Sequence, residues 1–179
     1  AGPHTCLVQQ DIQAHIAQMK QRLKQLRLQA YHVINDDPQL AADARIVESA
    51  PGFAELSTAK ILAELSALPD DMTPAQWVAH AGLDPRPSES GSSQRSPRRI
   101  SKQGNVRIRR ALFMPALVAI QRNANVSAYY EKLLGRGKAK LQAITAVMRK
   151  LLHALWGMLH HRHEWNGEKF YRLSEPKTA

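Results

Sequence analysis

A chain of 179 residues with 44% apolar side chains has enough material for one core plus an extended arm, which excludes a disordered tail. Its formal charge of +10 and pI of about 10.1 predict attraction to a polyanion through release of condensed counterions, with an acidic membrane surface as the rival partner. No run of some 18 apolar residues and no signal peptide occur, so nothing here is expected to span a membrane or be exported; a single cysteine, Cys6, excludes an internal disulfide and fits a reducing cytoplasm.

The chain opens Ala1-Gly2-Pro3 without an initiator Met, and is read as a piece of a longer protein. From Gln9 to about Asn35 the apolar residues Ile12, Ile16, Met19, Leu23, Leu26, Ala30 and Val33 step by four and three. This is a heptad seam over about three heptads, with Gln, Lys and Arg between, and a seam so narrow asks for a partner helix. Packing on its own domain and oligomerisation through Ile12, Ile16, Met19, Leu23 and Leu26 are both open at this point. Asn35-Asp36-Asp37-Pro38 ends the pattern.

A second helix is expected from about Gln39 to Ser49, a Pro51-Gly52 turn next, and a third helical pattern from Leu56 to Leu68. Together they form a corner like a helix-hairpin-helix, whose backbone N–H groups and helix dipole suit a DNA phosphate near Gly52. The usual second glycine of that hairpin is Ala54 here, and an ordinary helix–turn–helix corner is the competing reading. Thr73-Pro74-Ala75-Gln76 is a helix start, with Thr73 as N-cap, Pro74 in the first helical position and Gln76 closing a capping box; Gly82 ends that helix.

From Asp84 to Gly104 almost no apolar residue occurs, and the Ser/Pro/Gly-rich stretch from Pro85 to Pro97 reads as a long loop. Arg95, Arg98, Arg99, Lys102, Arg107, Arg109 and Arg110 lie in and just after it with no acid among them, a one-sign cluster that fits phosphate binding. Ser90 stands in Glu89-Ser90-Gly91. A serine hydroxyl attacks a phosphodiester if a base removes its proton and cations meet the developing charge. The arginines supply the second need; no nearby group supplies the first, and Ser88, Ser92, Ser93, Ser96 and Ser101 compete with Ser90 on equal terms at this level.

Beyond the loop, Asn105 caps a helix through Ala111 and Leu112 to Ile120 that Pro115 should interrupt and kink. Ser127 is expected to cap a short helix to Leu134. The last long helix runs from about Lys138 to His161 with the stripe Leu141, Ile144, Met148, Leu151, Leu152, Leu155, Met158 and Leu159. The tail from Trp165 is polar and expected to fray. His160, His161 and His163 lack co-ligands at metal spacing, so no metal residues are assigned and no cofactor is expected in this chain. No period-2 run of useful length occurs. The chain is expected to be all-α, with an arm over 1–37, a helical domain over 38–164 and a tail over 165–179.

Pro51-Gly52-Phe53, Ala81-Gly82-Leu83-Asp84-Pro85-Arg86, Glu89-Ser90-Gly91-Ser92-Ser93, Arg99-Ile100-Ser101-Lys102-Gln103-Gly104-Asn105 and Arg109-Arg110-Ala111-Leu112-Phe113-Met114-Pro115-Ala116 follow in an order with a known counterpart. From about Ile46 to Leu159 the chain resembles the C-terminal transposase domain of bridge-RNA-guided insertion-sequence transposases, relatives of the pilin-gene invertases. The resemblance implies that Ser90, in the Ser-Gly pair after the Gly-Leu-x-Pro-Arg motif, attacks the DNA backbone and forms a transient serine–DNA phosphodiester. It implies DNA and a guide RNA as partners, several subunits joined through the coiled-coil-type arm, phosphate contacts for Lys102, Arg109 and Arg110, and a bacterial cytoplasmic setting. It also implies an upstream RuvC-like domain whose acids hold Mg²⁺. These residues do not include that domain, so the chain alone is expected to bind nucleic acid without recombining it. The alternatives are a non-catalytic helix-hairpin-helix binding module and, from charge alone, a ribosomal-type RNA-binding protein.

Overall fold

The computed structural model describes residues 3–85 and 100–173, with the side chains of residues 3–6 left aside. Among the described residues there are eight helices and no strand, as the periodicities predict. The chain divides into two compact units, Ala1–Ala41 and Ala42–Ala179.

The first unit is dominated by helix α1, Pro3–Asp36. Its seam residues Ile12, Ile16, Met19, Leu23 and Leu26 are all exposed, so the apolar stripe read from the sequence is present but uncovered in the single chain. Asp37 then starts helix α2, Pro38–Glu48: its Oδ1 accepts from the N–H groups of Gln39 (2.8 Å) and Leu40 (3.1 Å). Proline in the first helical turn has no N–H to lose there, which is why Pro38 both stops α1 and opens α2.

The second unit is built from α3 (Glu55–Leu65), α4 (Pro74–His80), α5 (Val106–Arg122), α6 (Ala124–Gly135), α7 (Lys140–His160) and the single turn α8 (Gly167–Phe170). Helix α7 lies at its centre and packs against α4, α5, α6 and α8, while α3 packs on α5. Val147, Leu151, Leu152 and Leu155 of α7 are fully buried with Ile61, Ile108, Leu112 and Val126. The buried Ala111, Ala116 and Ala119 bring α5 close to its neighbours. Leu141, placed on the α7 stripe by periodicity, is instead exposed in the helix's first turn.

The helix ends follow local chemistry. Thr73 and Gln76 form the expected capping box, Thr73 N donating to Gln76 Oε1 (2.7 Å) and Gln76 N to Thr73 Oγ1 (3.3 Å). Asn105 caps α5 through Oδ1, accepting from Arg107 N and Ile108 N. Three expectations fail. Helix α6 starts from Asn123, not Ser127: Asn123 ends α5 and its side chain accepts from Val126 N (3.1 Å), so one residue stops one helix and starts the next. Pro115 does not interrupt α5, which runs on through it with the ring buried; a proline deprives only the carbonyl four residues back of its partner. The segment from Trp165 does not fray over its first part. Trp165 N donates to Ser49 Oγ (2.9 Å), Phe170 is buried, and Tyr129 meets Phe170 edge-on with ring centroids 5.8 Å apart.

Candidate nucleic-acid interface

The sequence-predicted serine and most of the predicted cations belong to the segment between α4 and α5. Ser90, Arg95, Arg98 and Arg99 fall outside the described residues; what the structure describes is the frame from which their segment springs.

Helix α4 is closed by a Schellman motif. Gly82 N donates to Ala79 O (2.8 Å) and Leu83 N to Val78 O (3.0 Å), with the buried Leu83 and Val78 side chains as the accompanying apolar pair. Gly82 has φ +63, and a Cβ there would collide with the Gln103 carbonyl oxygen. Glycine is required at this position both for the left-handed turn and for the close approach.

The chain then meets itself. Pro85 and Ile100 form an antiparallel bridge, Ser101 N donates to Asp84 O (2.8 Å), and Lys102 N donates to Gly82 O (3.1 Å). Ser101 Oγ donates to Asp84 Oδ1 at 2.6 Å, in a pair from which solvent is largely excluded. Asn105 N donates to His80 O (2.7 Å), and Asn105 Nδ2 reaches Glu64 Oε2 of α3 (2.7 Å). Residues 82–85 and 100–105 thus form a clamp that fixes both ends of the intervening segment against α4, α3 and α5. Buried and committed to Asp84, Ser101 is a structural member of this clamp rather than a free hydroxyl.

The described cations divide by role. Arg109 Nη1 donates to Ala81 O at the end of α4 (2.7 Å), so this half-buried guanidinium ties α5 to the clamp. The placement is favourable because the carbonyl end of a helix carries partial negative charge. Arg107 stands 3.6 Å from Glu64 but is largely exposed, and such a pair contributes little. Lys102, at φ +54, and Arg110 are exposed beside the clamp. A non-glycine residue in the left-handed region costs of order 1 kcal/mol, here offset by the two-stranded contact that Lys102 completes.

Gly52 sits apart from the clamp, in the α2–α3 turn at φ +88. A Cβ on it would overlap the backbone of Pro115, so its missing side chain serves the packing of this corner on α5. Helix α3 begins at Ala54 without a side-chain cap, and Ser57 Oγ accepts from Ala54 N (2.8 Å). Between α2 and α3 the expected Pro51-Gly52 turn is present, with Gly52 packed against the Pro115 backbone.

Among the described residues no three His, Cys, Asp or Glu come together as a metal-binding group. His160 stacks on Trp156 with centroids 4.4 Å apart. No helix among the described residues is long and apolar enough to cross a membrane.

With this geometry in place, comparison with known proteins is informative. Residues 44–131 match the model of the Transposase IS116/IS110/IS902 family, a stretch that contains α3, α4, the clamp and α5. The chain is 31% identical over 131 residues to the pilin gene-inverting protein of Moraxella bovis, an alignment covering 73% of this chain and 41% of that protein. It is 34% identical over 120 residues to the insertion element IS900 42 kDa protein of Mycobacterium paratuberculosis, covering 65% and 29%. It is 32% identical over 116 residues to the insertion element IS116 44.8 kDa protein of Streptomyces clavuligerus, covering 65% and 29%. The chain thus spans less than half the length of these curated relatives. Residues 44–131 are thus similar to the Transposase IS116/IS110/IS902 family, and the chain is similar over 131 residues to a pilin gene-inverting protein.

Proposed function

We propose that this chain is the serine-bearing, DNA-handling part of a transposase or recombinase, with Ser90 as nucleophile. The observation that carries the reading is the match to a transposase family across 44–131, the stretch occupied by the clamp, the cation cluster and the Ser90 segment. In the proposed step Ser90 Oγ attacks a DNA phosphorus and a P–O bond to a deoxyribose oxygen breaks. The serine proton leaves to a base, and the departing oxygen takes up a proton. The resulting serine–DNA phosphodiester keeps the reacting phosphate activated for rejoining to a second strand.

The basic residues Arg95, Arg98, Arg99, Lys102 and Arg110 would hold backbone phosphates and meet charge developing in the transition state. Arg109 is already engaged with Ala81 O and acts first as a brace for this frame. In this reading Mg²⁺ would be held by the acids of a RuvC-like domain, and no step here runs through it. Guide RNA and DNA would be held jointly by several subunits in the bacterial cytoplasm, joined through the exposed α1 seam at Ile12, Ile16, Met19, Leu23 and Leu26.

The test is covalent trapping. The chain joined to its native upstream region is given nicked DNA, matching guide RNA and Mg²⁺, and adducts are mapped by mass spectrometry. A nucleotide on Ser90, absent in Ser90→Ala, is the expected outcome. An adduct on another serine would move the nucleophile. No adduct, with salt-sensitive DNA binding intact, would replace the recombinase by a non-catalytic binding module.

A further inference from the structure

A second concentration of positive charge lies at the corner where α6, α7 and α8 meet, and none of it belongs to the cluster read from the sequence. Lys150 of α7 is half-buried, its ammonium 4.4 Å from the ring centroid of Tyr129, 4.9 Å from that of Phe170 and 5.5 Å from that of Tyr171. Lys132 of α6 approaches the same Tyr171 ring at 5.0 Å. The rings are held in place: Tyr129 packs against both Phe170 and Tyr171, and Asn125 Nδ2 donates to Tyr171 O (2.8 Å). Beside them opens a cavity of about 480 Å³ lined by Lys150, Asn166, Glu168, Lys169, Tyr171 and Arg172, among others.

Among the described residues the charge lining this corner is mostly positive. Three cations and one carboxylate line the cavity, Lys132 stands close by, and no ion pair involving Lys150 occurs among the described residues. Burial, followed by the nearby Lys132, pushes the Lys150 ammonium below the ordinary lysine range. Ring faces attract an ammonium, but they cancel no charge and do not relieve repulsion between two lysines on one ring. A corner needed only for packing would be served as well by a neutral side chain. What this arrangement lacks is an anion with several acceptor oxygens.

We propose that the α6–α7–α8 corner is a second phosphate-binding site, taking the backbone of a nucleic-acid strand on Lys150, Lys132, Lys169 and Arg172. The polyanion is identified through the function proposed above, on which this inference rests, and the site adds to the clamp region a separate element of the chain that grips a strand. A phosphodiester oxygen answers the uncompensated ammonium groups by charge-assisted hydrogen bonds, while the aromatic floor fixes where Lys150 presents its charge.

The experiment measures binding of fluorescein-labelled single-stranded DNA, RNA of the same sequence, and duplex DNA to residues 1–179 by anisotropy across a salt series. The chain is compared with Lys150→Gln, Lys132→Gln and Arg110→Gln. Each lysine lost from a phosphate contact should reduce the slope of log K against log salt by about 0.7 for single strands or about 0.9 for duplex. The probe whose slope falls by its own full per-contact amount, with the others unchanged, identifies the strand held. Lys150→Arg should keep the parent slope. Lys132 is exposed, so its variant reports on binding even where Lys150→Gln weakens the fold. Parent-like slopes for both glutamine variants, with Arg110→Gln reduced, would overturn this site and leave the proposed function standing. Absence of nucleic-acid binding by the parent chain would overturn both.

Discussion

Helices α1 and α7 carry apolar stripes of similar length, yet one stripe is the centre of the fold and the other faces outward. Leu151 and Leu155 of α7 are 0% exposed, whereas Ile16 and Leu23 of α1 are 46% and 49% exposed. The difference lies in stripe width. Around α7 the buried positions Ala143, Val147, Met148, Leu151, Leu152, Leu155 and Met158 cover a broad face that four other helices can share. The α1 seam is a single a/d line with Gln, Lys and Arg on either side, which only one helix-wide partner covers well. The broad stripe forms a core; the narrow one stays exposed in this chain.

The sharpest way to break this contrast is to truncate one residue from each stripe. Leu151→Ala should cost about 2–5 kcal/mol, seen as a lower urea midpoint of the second unit at unchanged m-value. Leu23→Ala should shift that midpoint by no more than about 0.5 kcal/mol while weakening self-association in sedimentation. Equal destabilisation by the two would mean that α1 is covered within its own chain. Next in size, Gly52→Ala puts a methyl group into the Pro115 backbone at φ +88 and should cost about 1–3 kcal/mol in the same denaturation experiment. Ser101→Ala removes the hydroxyl that donates to Asp84 and should cost about 1–2 kcal/mol, with faster amide exchange at Ser101 and Lys102. No change in exchange would mean that the backbone bonds alone hold the clamp.

The smallest effect probes the one histidine within α7's middle turns. Burial, reinforced by Arg149, holds the His153 imidazole below its ordinary value of 6.5. The unfolded chain therefore takes up this proton more readily than the folded one, so stability falls as pH drops from about 6.5 through the lowered folded value. Thermal melts at pH 7.5 and 5.5 should show a larger loss for the parent than for His153→Gln.

Much of the fold is legible from local chemistry. Thr73, Gln76, Gly82 and Asn105 fulfil roles set by neighbours within four residues, and their helix ends fall where those residue types predict. Asn123 was masked by Ser127, a capping residue type just beyond it, because either can open a helix and only packing selects one. The aromatic corner was hidden by the average polarity of 165–173: Phe170 and Tyr171 find their partner in Tyr129, some forty residues earlier. Arg109 reads as a phosphate ligand in a row of cations, and its bond to Ala81 O across 28 positions has no sequence signature. Of the candidate site, the cations at the foot of the segment are described, whereas Ser90, Arg95, Arg98 and Arg99 lie outside the described residues.

The meeting of Pro85 with Ile100 has a consequence for how such a chain can vary. Pro85 and Ile100, with fourteen residues between them, are held side by side by backbone contacts of the described residues alone. For any flexible connection closure entropy rises only with the logarithm of length, so doubling one costs about 0.6 kcal/mol. The bridge thus brings the two ends of whatever lies between Pro85 and Ile100 to a single point on the helical frame.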